Sequence, residues 1–417
     1  MAVIADDPKA GFRLSMLIYD TRYRSITIQI VVLLLAMAGA AWLIDNLLRN
    51  LTQLGRGVDF SFLWARSGYD INQTLVEYSN DSTHARAWLV GLLNTILIAF
   101  LGCISATFVG VVAGVLRLSE NSGVGRVVAG YVAAVRHIPR LLWILMIYAI
   151  FTDVLPAPNA FRGENPAATM AIFETTAFTN RYTAIPWVQF ENSLGWLNLG
   201  FIQISVDFTL VVAAIVGGFL LNRFLIKRAD AIQEATGQRP ATWWQSLLAL
   251  FGPIILVFLL LGGHFDVPVL QGFNFTGGLQ VSNSLVALWL ALTLYTGAFI
   301  AEIVRGGINA ISRGQTEASY ALGLRPNRTM NLVILPQALR VIIPPLISQY
   351  LNLTKNSSLA IAVGYMDVRG TLGGITLNQT GRGLEAMLLL MLTYLLVSLT
   401  ISAGMNIYNR SVKLKER

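Results

Sequence analysis

The chain has 417 residues, of which 55% are hydrophobic and only 12% are charged, and its mean hydropathy is +0.61. Average soluble domains carry roughly 25% charged residues, so this composition indicates a membrane protein and excludes an ordinary soluble fold. The net charge of +8 does not indicate nucleic-acid binding, because the basic residues form short clusters between apolar runs and no patch interleaved with aromatic residues.

The cysteine and histidine content gives no sign of a disulfide or a metal centre. The single cysteine, Cys103, lies in an apolar run and cannot form an intrachain disulfide. His84, His137 and His264 lie far apart and show no metal-ligand spacing. We therefore expect no metal site. The G-x-S-x-G and H-E-x-x-H motifs are also missing from the sequence, so we expect no catalytic residues, no bound cofactor and no enzymatic activity of this chain.

Eight apolar runs are long enough to cross a bilayer, which takes about 20 largely apolar residues. They lie near 26–48, 88–116, 127–151, 206–226, 243–262, 282–304, 339–363 and 386–408. They predict an all-α fold, a polytopic membrane bundle of about eight helices. The small-residue stretch Ala36-MAGAA resembles a signal-peptide cleavage site, but apolar residues continue to Leu48, which favours an uncleaved first span.

The basic residues of the loops predict the orientation of the spans. Clusters precede the first span, separate the fourth from the fifth and the sixth from the seventh, and follow the eighth. Cytoplasmic loops of membrane proteins carry such an excess, so both termini are expected in the cytoplasm. The nearly uncharged segment 152–205 fits the opposite side, whereas the loop 49–87 carries arginines offset by acidic residues.

The polar loop between the sixth and seventh spans has the pattern of two short helices. Ser312 and Gln315 have capping-box spacing, Gly323 is suited to end a helix in a left-handed conformation, and Pro326 suits the first turn of another. Pro336 is expected to close the second helix. Such a pair can dock in a groove of a cytoplasmic partner; the alternative is a helix pair that rests on the bilayer surface.

This loop also carries a family resemblance. Glu317-Ala318-Ser319, three residues, Gly323, nine residues and Val333-Ile334-Leu335-Pro336 resemble the EAA loop of bacterial ABC importer permeases, whose pattern is E-A-A, three residues, G, nine residues and I-x-L-P. Ser319 and Val333 replace an alanine and an isoleucine of that pattern. Further stretches resemble the polar-amino-acid, histidine-permease-like subfamily: Asn94-Thr95, Arg136-HIPRLL, Tyr295-TGAFIAEIVRGGI and Pro344-PLISQYLNLTKNSSLA.

The resemblance implies a type I ABC importer transmembrane domain with an N-terminal extra span and a mid-chain insertion, located in a bacterial inner membrane. That layout is similar to the larger, Q-type membrane subunits of general L-amino-acid transporters. The expected segments are a cytoplasmic N-terminal segment 1–25, an extra span and periplasmic loop 26–87, a first part of the permease core 88–151, an insertion with a periplasmic loop and two spans 152–262, a second part of the core 263–409 with the EAA loop 306–338, and a cytoplasmic tail 410–417.

The function implied is that of a permease subunit of an ATP-driven importer for L-amino acids, which forms the translocation path. The residues expected to contact the ATPase are Glu317, Ala318, Ser319, Gly323, Leu335 and Pro336. No lysine follows a glycine, so a G-x-x-x-x-G-K-[ST] loop is missing and ATP and Mg²⁺ are expected on a separate ATPase dimer. A second homologous permease subunit and a periplasmic amino-acid-binding protein are the other expected partners, beside membrane lipid.

Two other functions are open from the residues alone. A self-sufficient, ion-coupled secondary amino-acid transporter explains the spans and the buried polar groups, but it leaves the EAA spacing as a coincidence. A membrane scaffold or receptor that recruits a cytoplasmic partner explains the loop, but it carries no solute.

Polar residues inside the spans predict a substrate path, because such residues are costly in lipid. The residues are Asn94, Thr95, Arg136, Glu302, Lys355, Asn356 and Ser357. Pro344-Pro345 is expected to break the seventh span near a midplane cavity. Alternatively, Lys355 extends to the interface, Glu302 pairs with Arg305 or Arg136, and Asn94 and Thr95 hydrogen-bond between helices.

Overall fold

A computed structural model describes residues 16–53, 55, 57–119, 121–163, 165–198 and 203–412. Most of the expected cytoplasmic N-terminal segment, 1–15, and of the tail, 413–417, lies outside these residues. The chain divides into two compact units, 1–61 and 62–417. The helices of the first unit are α1 (Met16–Tyr19) and α2 (Thr21–Gln53), the predicted extra span.

The second unit is mainly helical. Its α-helices within the described residues are α3 (His84–Leu116), α4 (Ser122–His137), α5 (Arg140–Ala149), α6 (Val206–Thr236), α7 (Trp243–Leu260), α8 (Asn283–Asn309), α9 (Arg313–Ala321), α10 (Pro326–Thr329), α11 (Leu335–Asn356), α12 (Val368–Gly370), α13 (Leu377–Thr380) and α14 (Gly383–Val412). Across both units, seven helical segments of the described chain are long and apolar enough to cross a membrane, or eight if the bent pair α4–α5 is one span. The predicted polytopic bundle is therefore confirmed.

Helices α3 and α8 form the centre of the bundle, because glycines let their backbones approach closely. A Cβ atom on Gly110 would lie 2.5 Å from the Cβ of Ile300, and one on Gly114 would lie 2.8 Å from the carbonyl oxygen of Ala301. Close approach through small residues is the usual way in which membrane helices associate. Apolar side chains of both helices pack in two core clusters, one shared with α5 and the other shared with α11.

The third predicted span, 127–151, is not a single straight helix. Helices α4 and α5 meet at an angle of 104°. Ile138 has an extended backbone between them, with φ −100° and ψ 134°, because Pro139 disfavours the helical conformation in the residue before it. Arg136 and Arg140, on the two sides of the break, both contact aromatic rings of α8.

The predicted break at Pro344-Pro345 is wrong, since α11 runs through both prolines. Each proline removes one backbone N–H from the helix. Ile342 and Ile343, just before the prolines, and Leu353, after them, are nearly fully buried in the bundle. This packing holds both turns in line, and two lost hydrogen bonds do not outweigh it.

Short strands, which the all-α prediction did not include, lie between α5 and α8. They are β1 (Ala177–Phe178), β2 (Tyr182–Ile185), β3 (Trp187–Phe190), β4 (Trp196–Asn198), β5 (Gln203–Ser205), β6 (Gly263–Asp266), β7 (Val269–Gln271), β8 (Asn274–Thr276) and β9 (Leu279–Ser282). All pairings are antiparallel: β1-β2-β9 form a sheet, and β3 with β6, β4 with β5 and β7 with β8 form ribbons. The sheet thus joins residues of the expected insertion to residues beyond 262.

The β1-β2-β9 sheet is fixed to the helical bundle by the first residue of α8. The Thr183 hydroxyl donates to the side-chain oxygen of Asn283 at 3.2 Å. The Asn283 amide nitrogen donates to the carbonyl oxygens of Thr179 at 2.8 Å and of Phe151 at 3.3 Å. These bonds satisfy a buried side chain and make the sheet and the start of α8 one structural piece.

Helices α6 and α7 form a separate hairpin. They pack closely on each other, since a Cβ atom on Gly218 would lie 2.5 Å from the carbonyl oxygen of Ala249. In the most apolar 18-residue stretch of each of these helices, only 6% of the residues are buried, compared with 61% in the corresponding stretch of α8. The hairpin is joined to the rest of the unit through the β3–β6 ribbon, because α7 leads directly into β6.

Candidate coupling loop and membrane cavity

The segment between α8 and α11, the candidate coupling loop, has the predicted shape of two helices joined by a left-handed turn. Helix α9 ends at Ala321, and Gly323 follows with φ +77°. The Gly323 amide donates to the Tyr320 carbonyl at 2.9 Å, and the Leu324 amide donates to the Ser319 carbonyl at 3.1 Å. Only glycine adopts this backbone conformation without strain, so the predicted left-handed turn at Gly323 is confirmed, while its contact with an ATPase stays a prediction.

Two details of the loop prediction are wrong. Ser312 precedes α9, but its side chain makes no capping hydrogen bond, and the Gln315 side chain instead accepts from the Gln337 amide at 3.2 Å. Pro336 does not close the second helix. A π-helical turn, Met330–Ile334, carries α10 into α11, and Pro336 lies in the first turn of α11, where its missing N–H does not end the helix.

Most of the predicted ATPase-contacting residues lie on the exposed surface of this loop. Five are exposed: Glu317, Ala318, Gly323, Leu335 and Pro336. Ser319 is buried, and its hydroxyl donates to the Gln315 carbonyl at 2.6 Å. Tyr320 and Leu322, which the sequence did not single out, are 50% and 81% exposed at the turn. An apolar tip with polar flanks is suited to insertion into a groove on another protein.

A small cavity lies between α5, α8 and α11, near the middle of α8. Its volume is about 90 Å³, and it is lined by Arg140, Tyr295, Thr296, Phe299, Gln349, Asn352, Leu353 and Asn356. The Arg140 guanidinium lies 5.1 Å from the centre of the Tyr295 ring, and that of Arg136 lies 5.1 Å from the centre of the Phe299 ring. Cation–π contacts hold both guanidinium groups at the cavity side of α8.

The cavity offers groups that match both ends of an amino acid. Arg140 forms no ion pair within the part of the chain that is described, so its donors are available to a carboxylate. The carboxamides of Gln349, Asn352 and Asn356 can accept from an ammonium group or donate to a carboxylate. Ligand pockets usually measure about 300 Å³ or more, so this cavity must widen to admit a whole amino acid.

The predicted substrate-path residues divide into two groups by location. Asn356 lines the cavity and Arg136 stacks beside it. Asn94 and Thr95 lie elsewhere, between α3 and the segment before α12. The Asn94 amide donates to the carbonyl oxygens of Gln73 and Met366, and Thr95 accepts from the Val368 amide.

The remaining three predicted residues also lie away from the cavity lining. Glu302 accepts from Arg305, whose Nε lies 3.2 Å away, and from Arg117. Of the two partners considered, Arg305 is thus the one observed, whereas Arg136 stacks on Phe299. Lys355 is exposed. Ser357 is buried and its hydroxyl donates to the Thr354 carbonyl at 2.8 Å.

Arg140, Gln349 and Asn352 belong to the cavity but were not among the predicted site residues. Gln349, Asn352 and Asn356 are three and four residues apart, which places them on one face of a helix. That spacing is a signal in the sequence. Arg140 follows a proline that breaks the helix. Its position therefore depends on the 104° bend, which the spacing of residues in the sequence does not predict. Within the described residues, no group of His, Cys, Asp or Glu side chains is arranged to hold a metal ion.

Comparisons with known proteins relate the chain to membrane transport. The family model for a binding-protein-dependent transport system inner membrane component matches residues 106–414. The chain is 60% identical to the glutamate/glutamine/aspartate/asparagine transport system permease protein BztB of Rhodobacter capsulatus, over the whole of both chains. It is 42% identical to the general L-amino acid transport system permease protein AapQ of Rhizobium johnstonii, over 98% of this chain and 96% of that one. A crystal structure of an amino acid ABC transporter with histidines aligns with 79% of this chain and 95% of that chain, at 16% identity and a TM-score of 0.44.

Proposed function

From the premise that the chain belongs to the family of binding-protein-dependent transport system inner membrane components, we propose that the substrates it carries are L-amino acids. It is a permease subunit of an ABC importer. The names of two full-length relatives, which refer to acidic and amide amino acids and to L-amino acids in general, support the substrate class. Family membership disfavours the alternative of a self-sufficient secondary transporter.

The path of α8 and α11 is the observation that supports transport driven by a partner ATPase. These helices flank the coupling loop, and both contribute residues to the cavity. Helix α8 has 27 residues, which corresponds to about 40 Å, so it reaches from the loop past the cavity to the β1-β2-β9 sheet. A displacement of the loop by a partner therefore has a direct mechanical route to the cavity.

The same arrangement supports the partners and the orientation that we propose. The chain lacks the phosphate-binding loop of an ATPase, so we assign ATP and Mg²⁺ to a separate ATPase dimer that contacts the coupling loop. A second homologous permease subunit completes the path, and a periplasmic amino-acid-binding protein delivers the substrate. With the loop and both termini in the cytoplasm of a bacterial cell, the sheet at the other end of α8 faces the periplasm.

A pull-down with Gly323→Pro tests the coupling loop. Proline cannot adopt a φ of +77° and lacks the N–H that bonds Tyr320, so the variant should insert in the membrane but lose the ATPase. Gly272→Pro is the matched control, because Gly272 has φ +64° in the β7–β8 turn beyond the other end of α8. The wild type and this control should both retain the ATPase.

The same preparation, reconstituted in vesicles with its partners, should take up amino acids only when ATP reaches the coupling-loop side. Uptake driven by an ion gradient without ATP would refute the importer function. A wild-type complex without any bound ATPase would refute it independently.

A further inference from the structure

The turn between residues 171 and 176 has an unusual backbone. Ile172, Phe173 and Glu174 have φ angles of 51°, 57° and 61°, three consecutive left-handed residues without a glycine. The left-handed helical conformation costs roughly 1–2 kcal/mol for each L-residue, and it is rarest for β-branched residues such as isoleucine. Strain of this size persists only where surrounding interactions impose it, and it concentrates at functional positions.

Hydrogen bonds at the base of the turn impose this conformation. The Ala171 amide donates to the Thr176 carbonyl at 2.8 Å, and the Thr176 amide donates to the Ala171 carbonyl at 3.1 Å. The Thr175 hydroxyl donates to the Ile172 carbonyl at 2.7 Å. The turn is therefore a defined structure that presents its tip in one orientation.

The tip presents an aromatic side chain that does not contribute to the core. Phe173 is 96% exposed, and the neighbouring Ile172 is 62% exposed. Single exposed apolar side chains are common on protein surfaces. Here, however, the exposed ring is carried by a strained backbone, so the fold sustains an energetic cost while gaining no burial from the ring.

The turn is connected rigidly to the helix that lines the cavity. It leads into β1, which pairs with β2, and β2 pairs with β9, the strand that precedes α8. The bonds between Thr183 and Asn283 fix the sheet to the first residue of α8. A force applied at Phe173 is thus transmitted to the first residue of α8, at the end of that helix opposite to the coupling loop.

We propose that this turn is a docking element for the periplasmic amino-acid-binding protein, with the Phe173 ring inserted into an apolar socket on that protein. The inference rests on the proposed function, which places the sheet on the periplasmic side, and the family description itself refers to a binding protein. The exposed Glu174 carboxylate beside the ring makes a bilayer a poorer partner, because a charged side chain is costly to bring into lipid. Aromatic anchors in pockets dominate the energy of many protein interfaces.

Binding measurements on the assembled complex in nanodiscs test the proposal. The probe is the cognate binding protein, loaded with its amino acid and fluorescently labelled. Phe173→Ser should weaken its Kd roughly tenfold or more, as expected for an aromatic anchor. Phe273→Ser is the matched control, because Phe273 is 73% exposed at the tip of the β7–β8 ribbon, and its Kd should stay within about twofold of the wild type.

A second variant separates the ring from the backbone that holds it. Ile172→Gly with Glu174→Gly keeps Phe173 but relieves the strain and loosens the turn. The doubly substituted protein should be more stable to heat, and it should bind the probe more weakly than the wild type. Equal or tighter binding would show that the fixed conformation has no part in docking.

Two results would overturn the inference while leaving the proposed function intact. One is a Kd for Phe173→Ser within about twofold of the wild type. The other is a nitroxide at position 173, placed by Phe173→Cys in a Cys103→Ser background, that is shielded from aqueous nickel before the binding protein is added, which would identify a lipid anchor. If the wild-type complex binds no such protein at all, the proposed function fails as well.

Discussion

Arg140 shows how a single side chain gives the cavity its chemical character. Its guanidinium stacks on Tyr295 near the middle of α8, at a depth where charged side chains are costly. Arg140→Gln removes the charge but retains hydrogen-bonding capacity. Hydrogen bonds to charged groups contribute about 1.5–3 kcal/mol, so amino-acid uptake at low substrate concentration should fall roughly 10- to 100-fold. Transport assays in vesicles, together with a check that the ATPase is still bound, measure this.

Arg162→Gln is the control for this experiment. Arg162 also stacks on an aromatic ring, that of Phe273 at 6.0 Å, but it lies near the strands and outside the cavity. Its substitution should leave uptake unchanged. If Arg140→Gln takes up amino acids at the wild-type rate, the cavity is not part of the translocation path.

Asp367, which lies outside the membrane spans, predicts a pH dependence of stability. Burial raises the pKa of its carboxyl to about 6, although Gly370 N–H and the Tyr394 hydroxyl both donate to it. The folded-state pKa therefore lies above the unfolded value of about 3.9. The folded state binds the proton more tightly, so the stability from this group is complete below about pH 4 and is lost as the pH rises through about 6.

Thermal unfolding of the wild type and of Asp367→Asn between about pH 4.5 and 7.5 measures this contribution. The wild type should lose stability over this range relative to Asp367→Asn, because the amide cannot ionise. Parallel melting curves for the two proteins would show that Asp367 does not titrate between these limits.

At the scale of elements, Gly91 determines how α3 packs against the segment that contains α12. A Cβ atom on Gly91 would lie 2.2 Å from the Thr371 hydroxyl oxygen and 2.9 Å from the Asp367 carbonyl oxygen. Gly91→Ala should therefore destabilise the protein by about 1–3 kcal/mol, the usual cost of overpacking. Thermal unfolding in detergent measures the change.

Gly130→Ala in α4 is the matched control, because nothing lies within 4 Å of its added Cβ atom. Alanine is favoured over glycine in a helix by up to about 1 kcal/mol, so this variant should be as stable as the wild type or more stable. Equal melting temperatures for the two variants would contradict the close contact at Gly91.

The elements differ in how far the sequence determines them. Long apolar runs predict the spans because lipid requires each span to satisfy its own backbone, and Gly323 marks the coupling turn because only glycine fits it without strain. The cavity could not be predicted in the same way, since it depends on contacts between α5, α8 and α11. The left-handed turn at Ile172–Glu174 contains no glycine to mark it, and hydrogen bonds around it impose its shape.

At the scale of the whole molecule, the α6–α7 hairpin is an attachment and not a part of the core. Among the described residues, none between 191 and 262 belongs to a hydrophobic core cluster. Phe190 and Gly263 lie directly opposite each other in the β3–β6 ribbon. Replacing 191–262 by Asn-Gly, the favoured two-residue hairpin turn, should therefore remove both helices and leave the ribbon closed.

Because two spans are removed together, the orientation of every later segment is preserved. The shortened protein should insert in the membrane and still bring down the ATPase through its coupling loop. A second excision, with Asn-Gly between the paired residues Ile185 and Leu279, serves as the control. It also removes Phe275, which is buried against Ala177 and Ala184, so it should lower thermal stability by the roughly 3–5 kcal/mol typical of losing a buried aromatic side chain. If the first excision prevents insertion or abolishes ATPase binding, the hairpin is part of the transport core.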